Sequence, residues 1–257
     1  METVENLIYR DFLYSKIVQN QTINIVNYKG VFMKEKNILN NEEPISFSKE
    51  NVSAAVIKRL PRYFRYLRIL IREGKTRISS AELSRRMNIT ASQIRQDLNC
   101  FGGFGQQGYG YNVNYLYARI CELLGVGEGY QAVIIGGGNI GRALANNDMF
   151  EKRGVDIVAI FDNDETLVGN KVNEIPILHI DEFEKYTATH TVDIAVLTLP
   201  KAHALEMAER IAETDIAGIW NFTGQELDAV EGDIVVENVH LGDSLMTLNY
   251  RIANKDN

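Results

Sequence analysis

Cysteines and long apolar runs are scarce in this chain of 257 residues. Its two cysteines, Cys100 and Cys121, have no C-x-x-C spacing, which argues against a disulfide framework and against a zinc site. We expect both to be buried as small hydrophobic residues. No run approaches the roughly 18 apolar residues of a membrane span, and the amino terminus lacks the basic-then-apolar order of a signal peptide. The sequence thus predicts a globular, cytoplasmic protein with no membrane partner.

Acidic residues are scarce in one part of the chain and abundant in another, although the formal net charge is −7. From Tyr130 onward acids outnumber bases, whereas between residues 51 and 115 the balance is reversed. A basic module joined to an acidic one is expected if only the first touches the phosphate backbone of DNA. The bases of that stretch are Lys58, Arg59, Arg62, Arg65, Arg68, Arg72, Lys75, Arg77, Arg85, Arg86 and Arg95, and its acids are Glu73, Glu82 and Asp97.

Residues 1–50 match neither module. Their first part is rich in Ile, Tyr and Asn without a sustained period, and Lys34–Glu50 is polar. We therefore expect a weakly ordered extension over residues 1–50. Met33 is an alternative initiator, in which case residues 1–32 would not be translated.

A first helix is predicted from about Ser53 to Arg72. Its apolar residues recur at the three-to-four spacing that marks the buried face of an amphipathic helix. Because a proline inside a helix removes a hydrogen bond, we expect the helix to restart with Pro61 in its first turn. Gly74 then supplies a C-terminal stop.

Two capping boxes predict a helix-turn-helix. Ser79–Glu82 opens a second helix through Met87, and Thr90–Gln93 opens a third through Asn99. The third is the recognition helix, which would present polar side chains to a DNA groove. The alternative is a three-helix packing domain with a basic, solvated face. The predicted inward residues are Leu83, Met87, Ile89, Ile94 and Leu98, and the predicted DNA-facing residues are Ser92, Gln93, Arg95 and Gln96.

An aromatic and glycine-rich segment, Phe101–Val113, follows the recognition helix. Two short strands joined by a glycine-rich tip would form a wing. Residues 51–127 are accordingly predicted to be a winged-helix DNA-binding domain.

Apolar runs alternate with helical patterns from Gln131 onward, which predicts a doubly wound parallel sheet of the Rossmann type. The fold class is therefore α/β, with the winged helix first and a Rossmann domain over residues 128–239. The predicted strands are Ala132–Ile135, Asp156–Phe161, Ile175–Leu178, Ile194–Leu199, Gly218–Asn221 and Ile234–Val236.

The segment Gly136–Gly141 lies between the first of these strands and a helix, as the dinucleotide-binding fingerprint requires. The first glycine permits the tight turn, Gly138 lets the backbone approach a pyrophosphate, and Gly141 permits close helix–strand packing. The amides of helix Ile140–Asn146 would face the phosphate charge. The alternative is a glycine turn that binds no phosphate. The residues predicted to bind the cofactor here are Gly136, Gly137, Gly138, Asn139, Ile140 and Gly141.

Asp162 ends the next strand, where a carboxylate can accept hydrogen bonds from adenosine ribose hydroxyls. The same charge would repel a 2′-phosphate, and no base follows directly, so NADH and NAD+ are favoured over the phosphorylated cofactors. Thr198, Pro200 and Asn221, near the ends of later strands, complete the predicted cofactor-binding set.

A dehydrogenase would also need an acid–base group beside the nicotinamide. His203 follows Pro200 near the end of the fourth predicted strand, where it could line the crevice. Once the DNA-binding module is accounted for, no segment remains for a substrate domain, and we predict that the chain is not an enzyme. The alternative is an NAD- or CoA-binding enzyme with an accessory basic domain.

Several segments together closely resemble the Rex family of redox-sensing transcriptional repressors, from about Val52 to Tyr250. The resemblance implies a homodimer in which NADH lowers the affinity for operator DNA and NAD+ competes with NADH. It also implies that a C-terminal helix, about Leu241–Ile252 within residues 240–257, is exchanged between subunits. A two-fold protein should read a palindromic operator. The segments are Lys58–Tyr63, Ser79–Leu83, Ile94–Leu98, Phe101-Gly102, Gly108–Val113 and Trp220–Thr223.

The resemblance also implies roles for residues at matching positions. Arg95 would contact bases, Arg59 and neighbours such as Lys58 would contact the DNA backbone, and the wing around Gly108-Tyr109 would enter a minor groove. This chain departs from the family's common residues at Gln96 and at the wing tip, Gln106-Gln107, where bases are frequent. It also departs at Asn147 and His240, the positions of a tyrosine and an acid associated with coupling the subunits to cofactor state.

Overall fold

The computed structural model describes residues 52–100, 105–106, 110–227 and 233–255. The chain divides into two compact units, and the boundary along the sequence falls between Gly127 and Glu128. The extension predicted over residues 1–50 lies outside the described residues, as do the wing-tip residues Gln107, Gly108 and Tyr109.

The first unit consists of short helices around a small antiparallel sheet. The central strand, β3, pairs with β1 on one side and with β2 on the other, so the two predicted wing strands are confirmed. Strand β1 was not predicted, because two residues carry no readable period. The elements are α1 (Ala54–Ile57), α2 (Leu60–Arg72), β1 (Arg77–Ile78), α3 (Ser80–Met87), α4 (Ala91–Asn99), β2 (Gly105–Gln106), β3 (Gly110–Asn112) and α5 (Val113–Leu123).

The first predicted helix breaks where the sequence indicated. Pro61 lies in the first turn of α2, where its missing N–H is not needed. Gly74, at φ +71°, ends α2, since its N–H donates to the Ile71 carbonyl at 2.9 Å and that of Lys75 donates to Leu70 at 2.9 Å. Both bonds satisfy carbonyls left free at the helix end.

Caps open α3 and α4 as predicted. The Ser79 hydroxyl accepts from the Glu82 N–H at 3.1 Å, and Thr90 accepts from the Gln93 N–H at 3.1 Å. Asn88 takes the left-handed conformation, φ 50°, and turns the chain between the helices. Of the predicted inward residues, Leu83, Met87, Ile94 and Leu98 are fully buried and Ile89 is partly buried.

The prediction that both cysteines are buried is wrong for Cys100. Its thiol is exposed at the C-terminal end of α4 and lies 3.3 Å from the Gln96 carbonyl oxygen. Cys121 is partly buried in α5, and this burial raises the pKa of its thiol to about 11.

The second unit is a Rossmann-type sheet with the strand order β10-β9-β8-β4-β5-β7-β6. All pairs are parallel except that between β6 and β7. Each predicted strand overlaps an observed one. The strands are β4 (Tyr130–Ile135), β5 (Val155–Asp162), β6 (Lys171–Val172), β7 (Ile175–His179), β8 (Ile194–Leu197), β9 (Gly218–Asn221) and β10 (Val235–Asn238), and the α-helices are α6 (Asn139–Ala145), α7 (Phe183–Thr187), α8 (Ala204–Ala212) and α9 (Leu241–Ala253).

Both faces of the central strands are buried. On β4, Val133 and Ile135 pack into one apolar cluster, while Ile134 packs into the other. This explains why these strands appear in the sequence as continuous apolar runs rather than as an alternation.

The last helix, α9, is amphipathic in sequence but has no buried residue in this structure. Among the described residues, no helix has the length and apolar character needed to cross a membrane. The exposed apolar residues of α9 are Leu241, Leu245, Met246, Leu248, Tyr250 and Ile252.

Candidate functional site

A pocket of about 470 Å³ opens at the carboxyl ends of β4, β5 and β8. The strand order reverses at β4, because β5 lies on one side of it and β8 on the other. Ligands of open α/β sheets bind at such a switch point. The pocket contains five predicted cofactor residues and four that were missed. It is lined by Gly136, Gly138, Asp162, Asn163, Asp164, Leu167, Thr198, Leu199 and Pro200.

The glycine loop has the close packing that the fingerprint implies. Gly136 has φ +106°, and a Cβ there would lie 2.8 Å from the Thr198 carbonyl carbon. A Cβ on Gly141 would overlap the Gly136 carbonyl oxygen, whereas one on Gly138 would meet no atom within 4 Å. Because Gly138 also lines the pocket, its open side can admit a phosphate group close to the backbone.

Asp162 shapes the loop as well as bordering the pocket. Its Oδ2 accepts from the Gly137 N–H at 2.5 Å, and its Oδ1 accepts from the Asp164 N–H at 2.8 Å. A carboxylate offers about four acceptor positions, so capacity remains for ribose hydroxyls.

Asp164 adds a second negative charge to the pocket. Hydrogen bonds from the Thr166 hydroxyl and N–H, at 2.6 and 2.8 Å, lower the pKa of Asp164. The sequence signal for this residue was its place two positions after the strand end. Two carboxylates here disfavour a ligand with an added phosphate.

Thr198 ties the end of β8 to the loop, since its hydroxyl donates to the Gly136 carbonyl at 2.7 Å. Among the other predicted residues, Gly137, Asn139, Ile140 and Gly141 belong to the loop and the start of α6 without lining the pocket. His203 is exposed and does not line it either.

Asn221 does not line the pocket, and its part in cofactor binding stays a prediction. It is buried, with its amide nitrogen donating to the Gln225 carbonyl at 2.6 Å and to Asn238 at 2.7 Å. Its oxygen accepts from the Thr223 N–H at 3.0 Å and from the Thr223 hydroxyl at 2.7 Å. The structure therefore gives Asn221 the task of shaping the turn after β9, outside the described pocket.

The recognition helix α4 exposes Ser92, Arg95 and Gln96, as expected. Arg95 remains near the surface, where its guanidinium donates to the Ser80 hydroxyl at 3.1 Å. Gln93 differs from the expectation because it is partly buried and its amide donates to Asp97 at 2.8 Å.

Arg59 also has an internal partner that the sequence did not reveal. Its Nε and Nη2 donate to the two carboxylate oxygens of Asp97, each at 2.7 Å, and Tyr63 donates its hydroxyl to Asp97 at 2.8 Å. Burial alone would raise the pKa of Asp97, but the hydrogen bonds from Arg59, Gln93 and Tyr63 bring it below its usual value. Contact of Arg59 and Lys58 with DNA stays a prediction.

Two positions that depart from the family's common residues have local partners. Asn147 accepts from the Met149 N–H at 2.9 Å, which closes a turn after α6. His240, just before α9, lies 3.0 Å from Glu226. The side chain of Gln106 and all of Gln107 lie outside the described atoms.

These features define a class: a helix-turn-helix DNA-binding unit with a stranded wing, joined to a Rossmann-type unit with a nucleotide pocket. Residues 51–99 match the family model "Putative DNA-binding protein N-terminus", and residues 128–224 match "CoA binding domain". The chain belongs to the Rex family of redox-sensing transcriptional repressors.

The similarity to curated relatives covers most of both chains. The chain is 50% identical to the redox-sensing transcriptional repressor Rex of Caldicellulosiruptor bescii over 81% of its own length and 96% of the relative's. With the repressor Rex of Clostridium botulinum it is 52% identical over 78% of its length and 95% of the relative's.

Solved structures are similar over the same span. A crystal structure of RSP with β-NAD+ and operator DNA is 48% identical, with a TM-score of 0.75, and covers 81% of this chain and 95% of that one. A structure of RSP with β-NADH is 44% identical, with a TM-score of 0.74, and covers 81% of this chain and 97% of that one.

Proposed function

We propose that this protein is a repressor that binds palindromic operator DNA and is released from it when NADH occupies its Rossmann pocket. The observation that carries the proposal is the presence in one chain of a recognition helix that exposes Arg95, within a basic module, and a glycine-loop pocket bordered by Asp162. The complexes of RSP with operator DNA, β-NAD+ and β-NADH support it. Its place of action is the cytoplasm, where DNA and NADH occur together.

The ligand chemistry follows from the pocket. An open backbone at Gly138 suits a pyrophosphate, and Asp162 suits the two ribose hydroxyls of an unphosphorylated adenosine. NADH and NAD+ meet both conditions. Residues 51–127 and 128–239 would act as the DNA-binding and the cofactor-binding domain, without catalysing a reaction.

A homodimer would cover the exposed apolar side chains of α9. Leu241 is 64% exposed and Met246 is 63% exposed, and contiguous exposed apolar surface marks an interaction site. A second copy of the chain, exchanging residues 240–257, fits a two-fold operator.

Release follows from thermodynamic linkage. If NADH favours a dimer geometry in which the two recognition helices cannot enter successive major grooves, NADH and DNA must weaken each other's binding by the same factor. NAD+ competes for the same pocket without imposing this geometry.

The first prediction concerns release itself. In an electrophoretic shift assay, with a duplex that the protein selects from a randomised library, the complex should persist with NAD+ and dissociate at saturating NADH. The reduced-nicotinamide absorbance should stay constant, because no turnover is expected. A complex that persists at saturating NADH, or a protein that binds CoA and consumes a substrate, would favour the alternative of a nucleotide-binding enzyme with a basic accessory domain.

A second prediction concerns Arg95, which is exposed on α4. Arg95→Ala should weaken binding to the selected duplex by about 1–3 kcal/mol, because a bidentate contact to a guanine would be lost. Anisotropy titrations should show little change in the affinity for a scrambled duplex, and calorimetry should show an unchanged affinity for NADH. An equal loss on both duplexes would mean that Arg95 holds only phosphate.

A further inference from the structure

The carboxylate of Asp97 is the centre of a polar cluster between α2 and α4. It is fully buried, and it accepts two hydrogen bonds from Arg59, one from Tyr63 and one from Gln93, all between 2.7 and 2.8 Å. These four donors fill the acceptor capacity of a carboxylate. We call Arg59, Tyr63, Gln93 and Asp97 the recognition-helix clamp.

The clamp joins one face of the recognition helix to the helix behind it. Gln93 and Asp97 are four residues apart and share a face of α4, whereas Arg95 lies about 200° around the axis from Asp97. Arg59 and Tyr63 belong to the start of α2. The side chains that hold α4 and the side chain predicted to read bases therefore lie on opposite faces.

Apolar contacts alone fix the rotation of α4 about its axis only coarsely. Ile94 and Leu98 are fully buried, but dispersion and burial are insensitive to direction. The four bonds to Asp97 are short and charge-assisted, and they weaken steeply when their angles change. A small rotation of α4 would break several of them at once.

We propose that the clamp is a positioning device for operator recognition: it sets the rotation of α4, so that Arg59 and Gln93 act on sequence specificity through Asp97 and not by touching DNA. The inference rests on the proposed function and deepens it. It is an alternative to the sequence-based expectation that Arg59 holds phosphate and that Gln93 reads a base, since both side chains bind Asp97 in this structure.

Tyr63→Phe tests the proposal most directly, because Tyr63 is fully buried and cannot touch DNA. The full-length protein is titrated by fluorescence anisotropy, without nucleotide, against the selected duplex and against a scrambled duplex of the same composition. The ratio of the two affinities, the specificity ratio, should fall about fivefold, as for the loss of one hydrogen bond. Affinity for the scrambled duplex and for NADH should not change.

Arg59→Lys separates positioning from phosphate contact. Lysine keeps the charge that a phosphate needs, but it cannot make two parallel bonds to a carboxylate. We expect the specificity ratio to fall about tenfold or more, with scrambled-duplex affinity preserved. Parental affinity for both duplexes would overturn the proposal.

Leu67→Met is the matched control for lost stability. Leu67 is fully buried in α2 outside the clamp, and the substitution nearly conserves volume. It should lower the melting temperature without changing the specificity ratio. If Tyr63→Phe lowers the melting temperature and leaves the ratio at its parental value, the clamp is structural only and the inference is wrong.

The outcomes separate this inference from the proposed function. If Arg59→Lys fails to fold by circular dichroism, the comparison of Tyr63→Phe with Leu67→Met decides. If the parent selects no sequence, both the proposed function and the inference fail. If the parent discriminates sequences but is not released by NADH, the proposed function fails, while the specificity ratios still decide on the clamp.

Discussion

Replacing Arg59 by Ala should lower the stability of the DNA-binding unit by about 3–5 kcal/mol, because Asp97 would remain as a buried charge without its cation. Asp97 is 0% exposed and takes two of its four hydrogen bonds from Arg59, so the variant loses the cation and half of the donors. Hydrogen–deuterium exchange measures the loss on peptides from residues 60–99. Peptides from residues 130–221 serve as an internal reference and should keep their protection.

The same variant should change how stability depends on pH. In the parent, a pKa of Asp97 below its usual value stabilises the fold at pH above the unfolded pKa of about 3.9, and this stabilisation is lost as the pH falls through the folded pKa. Without Arg59 this stabilisation is missing at neutral pH. The difference between parent and variant should therefore be larger at pH 7 than at pH 4.

Lys58→Ala is the control for both measurements. Lys58 is an exposed base beside Arg59, and removing it should change stability by no more than about 0.5 kcal/mol. If Arg59→Ala is as mild as Lys58→Ala, the buried ion pair does not hold the two helices together.

Replacing Asp162 by Ala should weaken NADH binding by about 1.5–3 kcal/mol, because a charge-assisted hydrogen bond to the ribose is lost. The loop would also lose its acceptor for the Gly137 N–H. DNA binding without cofactor should persist. The variant should stay on its operator at NADH concentrations that release the parent, and so act as a constitutive repressor.

Calorimetry measures the NADH affinity, and the shift assay measures the NADH concentration for half-release, which must rise by the same factor. Asp181→Ala is the matched control. It removes an acid of the same unit whose side chain is 83% exposed and does not line the pocket. The NADH affinity and the NADH concentration for half-release should both stay unchanged. Unaltered NADH affinity in a folded Asp162→Ala protein would falsify the assignment of this pocket to the dinucleotide.

Much of the fold could be predicted because its signals are local. The helix starts at Ser79 and Thr90 depend on hydrogen bonds between residues three positions apart. The restart of the helix at Pro61 depends only on the ring of that proline, which fixes φ and removes the N–H. The glycine loop was recognisable because backbone segments approach each other closely at Gly136 and Gly141, where only glycine fits.

The sequence by itself determined the order of the two modules, the apolar runs of the sheet and the pocket residues that directly follow strand ends. Only the tertiary structure decided which partners the polar side chains bind within the protein. Arg59 and Asp97 are 38 residues apart and meet only because α2 packs behind α4, while Asn221 is occupied by Asn238 and Gln225. Hydrogen bonds need directional contact at about 3 Å. Residue type and spacing along the chain do not show which side chains come within hydrogen-bond distance. Partners far apart in sequence can therefore be identified only from the folded structure.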